Sequence, residues 1–159
     1  MPKLSAGILL YRYSQAALEV FLVHPGGPFW TKKDLGAWSI PKGEYAVGED
    51  PLLAAKREFG EETGFEPPDG EFCPLGEVRL ASGKIVKAWS VEGTCEAGTI
   101  RSNRFQLEWP PKSGNMQEFP EVDRAAWFAP SVADQKIHPA QRELLHRLTA
   151  RLRGEMIAT

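Results

Sequence analysis

The chain has 159 residues, a formal net charge of −2 and an apolar fraction of 42%, which are ordinary values for a globular protein with a buried core. The slightly acidic balance argues against long RNA or DNA as the main partner. Because the sequence shows neither an apolar run long enough to span a membrane nor a secretion signal, we expect one cytoplasmic domain over residues 1–159. In that compartment Cys73 and Cys95 are expected to be reduced thiols.

The N-terminal part predicts two β-strands followed by a long irregular loop. Residues 5–13 (SAGILLYRY) and 18–24 (LEVFLVH) are rich in strand-forming side chains, and the short hairpin loop at 14–17 connects them. The next stretch contains the Gly- and Pro-rich loop at residues 26–35. Loops of this length in a small domain are usually functional. A short strand is predicted at residues 38–41.

The following segment predicts an α-helix with clear signals at both ends. Asp50 is suited to the N-cap and Pro51 to the first helical position. Gly64 is suited to the left-handed conformation that closes a helix. The apolar face of this helix consists of Leu52, Ala55 and Phe59.

The C-terminal half predicts further strands and a second helix. These strands are residues 72–80, 85–91, 105–109 and 126–128. Residues 110–120 predict a second irregular loop. Residues 138–153 predict an amphipathic helix that buries Leu144, Leu145, Leu148 and Leu152. Strands flanked by two helices predict an α/β sandwich.

Three carboxylates share one face of the first helix. Glu58, Glu61 and Glu62 stand at positions i, i+3 and i+4. Like charges at this spacing repel each other by roughly a few tenths of a kcal/mol per pair, so a chain that keeps them usually places a cation there. Ligands that offer only oxygen select a hard ion such as Mg²⁺ or Mn²⁺.

The segment at residues 43–65, GEYAVGEDPLLAAKREFGEETGF, resembles the Nudix box, Gly-x5-Glu-x7-Arg-Glu-U-x-Glu-Glu-x-Gly-U, where U is bulky and apolar. The matching fixed positions are Gly43, Glu49, Arg57, Glu58, Glu61, Glu62 and Gly64. Phe59 and Phe65 occupy the U positions, where aliphatic residues are commoner. The resemblance implies the Nudix fold, a mixed β-sheet sandwiched between helices.

The resemblance also implies a reaction: a metal-dependent attack of water on the diphosphate linkage of a nucleoside diphosphate derivative. The implied metal ligands are Glu58, Glu61 and Glu62, with a backbone carbonyl at Lys42 or Gly43. Glu49 and Arg57 are implied to pair and to hold the box loop against the helix.

The general base is left open between a residue of the box and one outside it. Glu58 is the candidate within the box. Glu118 and Glu121 are the external candidates, and Glu121 fits better because many relatives carry a Glu a few residues before an aromatic such as Trp127. A plain surface role is an equal alternative for both external residues.

The residues ahead of the box bear on the substrate. Trp-x-x-Pro-Lys-Gly, at residues 38–43, resembles the corresponding segment of diadenosine tetraphosphate hydrolases, in which Lys42 would address the extra phosphates. Trp38 is a candidate for base stacking and Arg79 for phosphate binding, although a core or solvated role is open for each. The proline usual in ADP-ribose hydrolases and the tyrosine usual in dinucleoside polyphosphate hydrolases do not appear past the box, where the chain reads Arg79-Leu80-Ala81.

Other functions therefore stay open. They are a (d)NTP-sanitising pyrophosphatase, a hydrolase of capped or triphosphorylated RNA, and a nucleotide-sensing module without significant turnover. The expected partner is a small nucleotide, and a homodimer is compatible with the edge strands and the Trp-rich loop. The loops at residues 26–35 and 110–120 are expected to flank the pocket and to set specificity.

Overall fold

The computed structural model describes residues 3–154. Its strands are β1 (Leu4–Ser14), β2 (Ala17–Pro25), β3 (Lys42–Glu44), β4 (Cys73–Arg79), β5 (Ile85–Glu92), β6 (Arg104–Glu108), β7 (Met116–Pro120) and β8 (Val122–Phe128). Its α-helices are α1 (Pro51–Thr63), α2 (Pro130–Lys136) and α3 (Arg142–Leu152). Within residues 3–154, no helix has the length and apolar character needed to cross a membrane.

The main sheet has the strand order β4-β5-β1-β2-β8, with β3 pairing β1. β1 runs parallel to β5 and antiparallel to β2, so the sheet is mixed. Side chains of β1 alternate between the two faces. Ile8 and Leu10 pack with Phe59 of α1, whereas Leu9 packs with Leu144 of α3. The predicted mixed sheet between helices is confirmed.

Helix α1 begins and ends as its sequence predicts. The Asp50 side chain accepts a hydrogen bond from the Leu53 amide, and Pro51 occupies the first helical turn. Gly64 closes the helix with φ 79°. A Cβ at residue 64 would also lie 2.8 Å from the carbonyl oxygen of Arg101, so glycine is required there both by the backbone conformation and by the close approach of another segment.

The second loop is shorter than predicted. The prediction of an irregular loop over residues 110–120 is wrong for residues 116–120, which form β7 and pair with β6 in a two-stranded sheet. Within this hairpin, Phe105 stands opposite Phe119. The strand is mostly exposed and ends in a proline, so it lacks the alternating apolar pattern by which a half-buried strand is recognised.

Three further boundaries differ from the predictions. The strand predicted at residues 126–128 is longer and begins at Val122. Residues 38–41 contribute only isolated bridges through Trp38 and Ser39, and the strand of this region begins at Lys42. The last helix begins at Arg142 rather than at residue 138, after a short 3-10 turn.

Helix α2 was missed by the sequence analysis. Its seven residues bury Ala133 alone, so the segment shows no periodic apolar face. Pro130 in its first turn is the local signal that favours a helix start.

Candidate active site

Arg57 connects the box loop to the carboxylates of α1. Its Nη1 donates to Glu49, and its Nη2 donates to Glu58 Oε1 (3.2 Å) and to the carbonyl oxygen of Glu44 (3.3 Å). The Arg57 Nε lies 3.8 Å from Glu61 Oε1. One guanidinium therefore orients two of the three helix carboxylates and fixes the loop that precedes the helix.

Gly43 lies directly beneath the Glu58 carboxylate. A Cβ at residue 43 would overlap the carboxyl carbon and Oε2 of Glu58 and would lie 2.6 Å from Oε1. Gly43 also pairs with Ala6 of β1. The missing side chain thus lets the helix carboxylate approach the backbone of β3.

Glu62 lies deeper in the site than its two neighbours. Its Oε1 accepts a hydrogen bond from the Lys42 amide (3.2 Å). Burial raises the pKa of the Glu62 carboxyl, and the nearby Lys42 ammonium opposes that rise. Burial lowers the pKa of the Lys42 ammonium, and the negative charge of Glu62 opposes that decrease. The charge of each side chain therefore shifts the pKa of the other.

Glu121 joins the box carboxylates from a distant part of the sequence. It occupies the position between β7 and β8. Burial raises the pKa of Glu121, and the negative charge of Glu61 raises it further. The Glu121 charge likewise contributes to the raised pKa values of Glu58 and Glu62. Four carboxylates consequently influence one another across the same cleft.

The donor set fits a hard divalent cation. Among residues 3–154, no three His, Cys, Asp or Glu side chains are close enough to form a preassembled cation site. Glu58 instead accepts from Arg57, and Glu62 accepts from the Lys42 amide. The set nevertheless offers only oxygen atoms, and the pKa values of Glu58 and Glu62 are raised by burial and like charge. A cation with affinity for oxygen would relieve that repulsion.

A cavity of about 200 Å³ opens beside these carboxylates. Its lining includes the charged residues Lys42, Glu62 and Glu121 and the apolar residues Val23, Pro25, Trp30, Ala37, Leu80 and Val122. Ser39, His138 and Gln141 supply polar groups. The Gln141 Oε1 accepts from the Ile40 amide (3.1 Å), so this amide side chain is held in one orientation.

Among the residues that the sequence analysis named, Trp38, Arg79 and Glu118 lie outside the lining of this cavity, as do Glu58 and Glu61. Trp38 is only 4% exposed and packs in the core. Arg79 donates to the carbonyl oxygen of Gly83 (3.2 Å) at a turn. Glu118 forms an ion pair with Arg104 (2.8 Å) on the surface of the β6–β7 hairpin.

His24 is a structural link that sequence reasoning did not identify. It is fully buried at the end of β2. Its Nδ1 lies 2.8 Å from Asp123 Oδ1, and its Nε2 lies 2.6 Å from the carbonyl oxygen of Lys33. The ring therefore ties the loop at residues 26–35 to β8. The available signal was a polar ring at the end of an otherwise apolar strand.

Comparison with known proteins gives one curated relative and several structural ones. The chain is 28% identical over 138 residues to an 8-oxo-(d)GTP phosphatase of Mycolicibacterium smegmatis. That match covers 86% of this chain but only 35% of the relative, so the chain spans about a third of the relative's length.

Solved structures share the fold at low sequence identity. An Ap4A hydrolase binary complex from C. elegans gives a TM-score of 0.67 at 22% identity, with 94% of this chain and 98% of the other covered. The Nudix domain of NrtR from Shewanella oneidensis, complexed with ADP-ribose, gives a TM-score of 0.63 at 20% identity, with 96% of this chain and 89% of the other covered. The model of the NUDIX domain family matches residues 1–148. The chain therefore belongs to the Nudix hydrolase family.

Proposed function

We propose that this protein is a metal-dependent pyrophosphohydrolase that cleaves a diphosphate linkage in a small nucleotide, with diadenosine polyphosphates as the preferred class. The observation that carries the proposal is the convergence of Glu121 with the three glutamates of α1 beside a cavity that Lys42 lines. Neither a solvated helix face nor a plain structural network requires a fourth carboxylate from another segment.

Members of the Nudix family generally depend on a divalent metal, and we assign Mg²⁺, or Mn²⁺ in its place, to this site. Its ligands are the carboxylates of Glu58, Glu61 and Glu62 and the backbone carbonyl of Gly43. When bound, the metal neutralises phosphate charge and lowers the pKa of the attacking water.

Glu121 is the general base of the proposed reaction, and its carboxylate takes the proton from the attacking water. Burial and the Glu61 charge both raise its pKa, which brings the group closer to neutral pH and makes it a better base. At Glu58, the hydrogen bond from Arg57 works against such a rise. Glu118 is held by Arg104 away from the cavity lining.

In the proposed complex the cavity holds the nucleobase of the substrate, and Lys42 contacts the phosphates. A volume of about 200 Å³ is below the roughly 300–1,000 Å³ of pockets for drug-sized ligands, so it suits one base rather than a whole dinucleotide. Trp30 offers an aromatic face for stacking. The Lys42 ammonium, at the carboxylate side of the cavity, is placed to reach phosphate oxygens.

A second candidate substrate is an oxidised purine nucleoside triphosphate. The curated relative that matches most of this chain is described as an 8-oxo-(d)GTP phosphatase. Both substrates require the same carboxylates and metal, and they differ in what occupies the space beyond the cleaved linkage.

Product identification across a nucleotide panel tests the proposal. Purified protein with Mg²⁺ is offered diadenosine tetraphosphate, 8-oxo-dGTP, unmodified dNTPs and ADP-ribose, and EDTA is added in a parallel series. ATP plus AMP from diadenosine tetraphosphate supports the preferred class, and 8-oxo-dGMP plus pyrophosphate selects the second candidate. Tight binding without hydrolysis in Mg²⁺ or Mn²⁺ would contradict the enzyme proposal and favour a nucleotide sensor.

Cytoplasmic location and homodimer formation stay predictions.

A further inference from the structure

The segment at residues 101–103 is docked on the end of α1. The Arg101 amide donates to the carbonyl oxygen of Thr63 (2.8 Å), and the Asn103 amide donates to that of Glu61 (2.7 Å). Carbonyl groups in the last turn of a helix lack partners within the helix. The segment supplies such partners and is thereby fixed to the turn that carries the helix carboxylates.

The same segment holds the backbone of Glu121. The Glu121 amide donates to the carbonyl oxygen of Asn103 (2.8 Å), and the Gly26 amide donates to the carbonyl oxygen of Glu121 (2.9 Å). Both backbone polar groups of Glu121 are thus engaged. A continuous series of backbone hydrogen bonds runs from Glu61 through Asn103 to Glu121.

Ser102 adds a side chain to this arrangement. Its hydroxyl oxygen accepts from the Val122 amide (3.1 Å) and lies 3.1 Å from the Val122 carbonyl oxygen. The hydroxyl also lies 2.9 Å from the carbonyl oxygen of Asn103. Val122 is only 4% exposed, so water is a poor substitute for the hydroxyl at its amide. The Ser102 side chain therefore occupies the place of a neighbouring strand beside Val122.

The contact between Ser102 and Val122 connects the two open ends of the β6–β7 hairpin. The hairpin begins immediately after Asn103 and ends immediately before Glu121. The strands of the hairpin are largely exposed, so packing of the hairpin itself fixes its open end only weakly. The hydroxyl of Ser102 and the backbone bonds of Asn103 determine where Glu121 emerges relative to α1.

We propose that Ser102 is a positioning residue for the hydrolytic reaction, which holds the Glu121 carboxylate in register with the carboxylates of α1 by binding the backbone of Val122. The proposal rests on the proposed role of Glu121 as general base. A displacement on the order of 1 Å of a reacting group can cost about 10²-fold in rate, so a loosened Val122 reduces turnover without removing any group that contacts the nucleotide.

The test combines Ser102→Ala with Glu121→Gln in a double-mutant cycle. Hydrolysis of diadenosine tetraphosphate and of 8-oxo-dGTP with Mg²⁺ is measured for the wild type, each single variant and the double variant. Ser102→Ala is expected to lower kcat by about tenfold or more with little change in KM. Adding it to Glu121→Gln is expected to have almost no further effect, because the group it positions is already disabled.

Two serine variants keep the test decisive. Ser113→Ala is the matched control, because the Ser113 hydroxyl also accepts a hydrogen bond from a backbone amide (Asn115, 3.1 Å) but at the exposed tip of the hairpin. No residue of 110–120 lines the cavity, contrary to the expectation for that loop, so this variant is expected to retain wild-type kcat. Ser102→Cys keeps the side-chain size but weakens the hydrogen bonds, and it replaces Ser102→Ala if that variant fails to fold.

Amide hydrogen exchange gives a readout that is independent of activity. In protein without nucleotide or metal, Ser102→Ala is expected to speed exchange in the peptide around residues 119–124 while the helical residues 51–60 keep their protection. Unchanged exchange there, unchanged kcat, or losses that multiply in the double variant would each overturn the positioning role. Full activity of Glu121→Gln would instead remove the proposed base itself, and the inference with it.

Discussion

The carboxylate of Glu58 rests on the bare backbone of Gly43, at a distance that leaves no room for a side chain at residue 43. The glycine that opens the box is therefore required by a residue fifteen positions later in the same motif, and not by a turn (Gly43 lies within β3).

The first prediction concerns this contact. Gly43→Ala is expected to displace the Glu58 carboxylate and to lower kcat on the order of 10²-fold. It is also expected to raise the Mg²⁺ concentration needed for half-maximal rate, because the displaced Glu58 no longer serves as a ligand. Steady-state kinetics with a Mg²⁺ titration measures both effects.

Gly98→Ala is the matched control for Gly43→Ala. Nothing lies within 4 Å of a Cβ built at residue 98, so this variant is expected to keep wild-type kinetics. Full activity of Gly43→Ala would show that the close approach to Glu58 is unimportant for turnover.

The second prediction concerns the pH dependence of stability. Because the folded state raises the pKa of Glu121 above its ordinary value of 4.5, the folded protein binds the proton more tightly than the unfolded chain does. The free energy of unfolding then falls as pH rises above the unfolded pKa and through the folded pKa. Glu121→Gln is expected to flatten this fall in protein without metal, as measured by urea unfolding at several pH values.

Glu118→Gln is the control for that series, because Glu118 is about half exposed in its ion pair with Arg104 and belongs to the same hairpin. Glu118→Gln is expected to keep the wild-type dependence of the free energy of unfolding on pH. If Glu121→Gln also keeps the wild-type pH dependence, desolvation and the Glu61 charge do not raise the pKa of Glu121 enough to affect stability.

The third prediction concerns Arg57. A lysine ammonium is a compact point charge and does not reproduce the planar, separated N–H groups with which Arg57 contacts Glu49, Glu58 and the Glu44 carbonyl. Arg57→Lys is expected to lower kcat by about tenfold or more, with a smaller change in KM. The neighbouring Lys56→Gln is the control, since Lys56 lies over the Phe72 ring instead. Equal activity of the two variants would argue that charge alone is needed at residue 57.

The fourth prediction concerns Trp30. Loss of aromatic stacking on a base costs roughly 1–3 kcal/mol, so Trp30→Ala is expected to raise KM by about 5- to 150-fold, whereas Trp30→Phe should keep most of the affinity. Phe29→Ala is the control, because Phe29 packs against Trp109 outside the cavity lining. Similar KM values for all these variants would show that the nucleobase does not stack on Trp30.

Helix α1 and its carboxylates could be predicted from sequence because every determinant is local. The cap at Asp50, the glycine at residue 64 and the spacing of the glutamates act within a few turns of one another. Strands β1, β2, β4 and β5 of the main sheet follow from the same kind of short-range pattern. By contrast, α2 and β7 bury too little apolar surface to produce such a pattern.

Tertiary structure decided which of two nearby glutamates joins the site. The sequence offers both Glu118 and Glu121 and favours Glu121, and in the fold the pairing of β6 with β7 turns Glu118 toward Arg104. Glu121 is instead held between Asn103 and Gly26. The same applies to the tryptophans: Trp38 packs in the core against His24 and Phe128, whereas Trp30 lines the cavity. Sequence by itself determined the helix face that offers the oxygen ligands, since its periodicity is local. Only the folded chain determined what faces them, because contacts between segments distant in sequence depend on long-range packing.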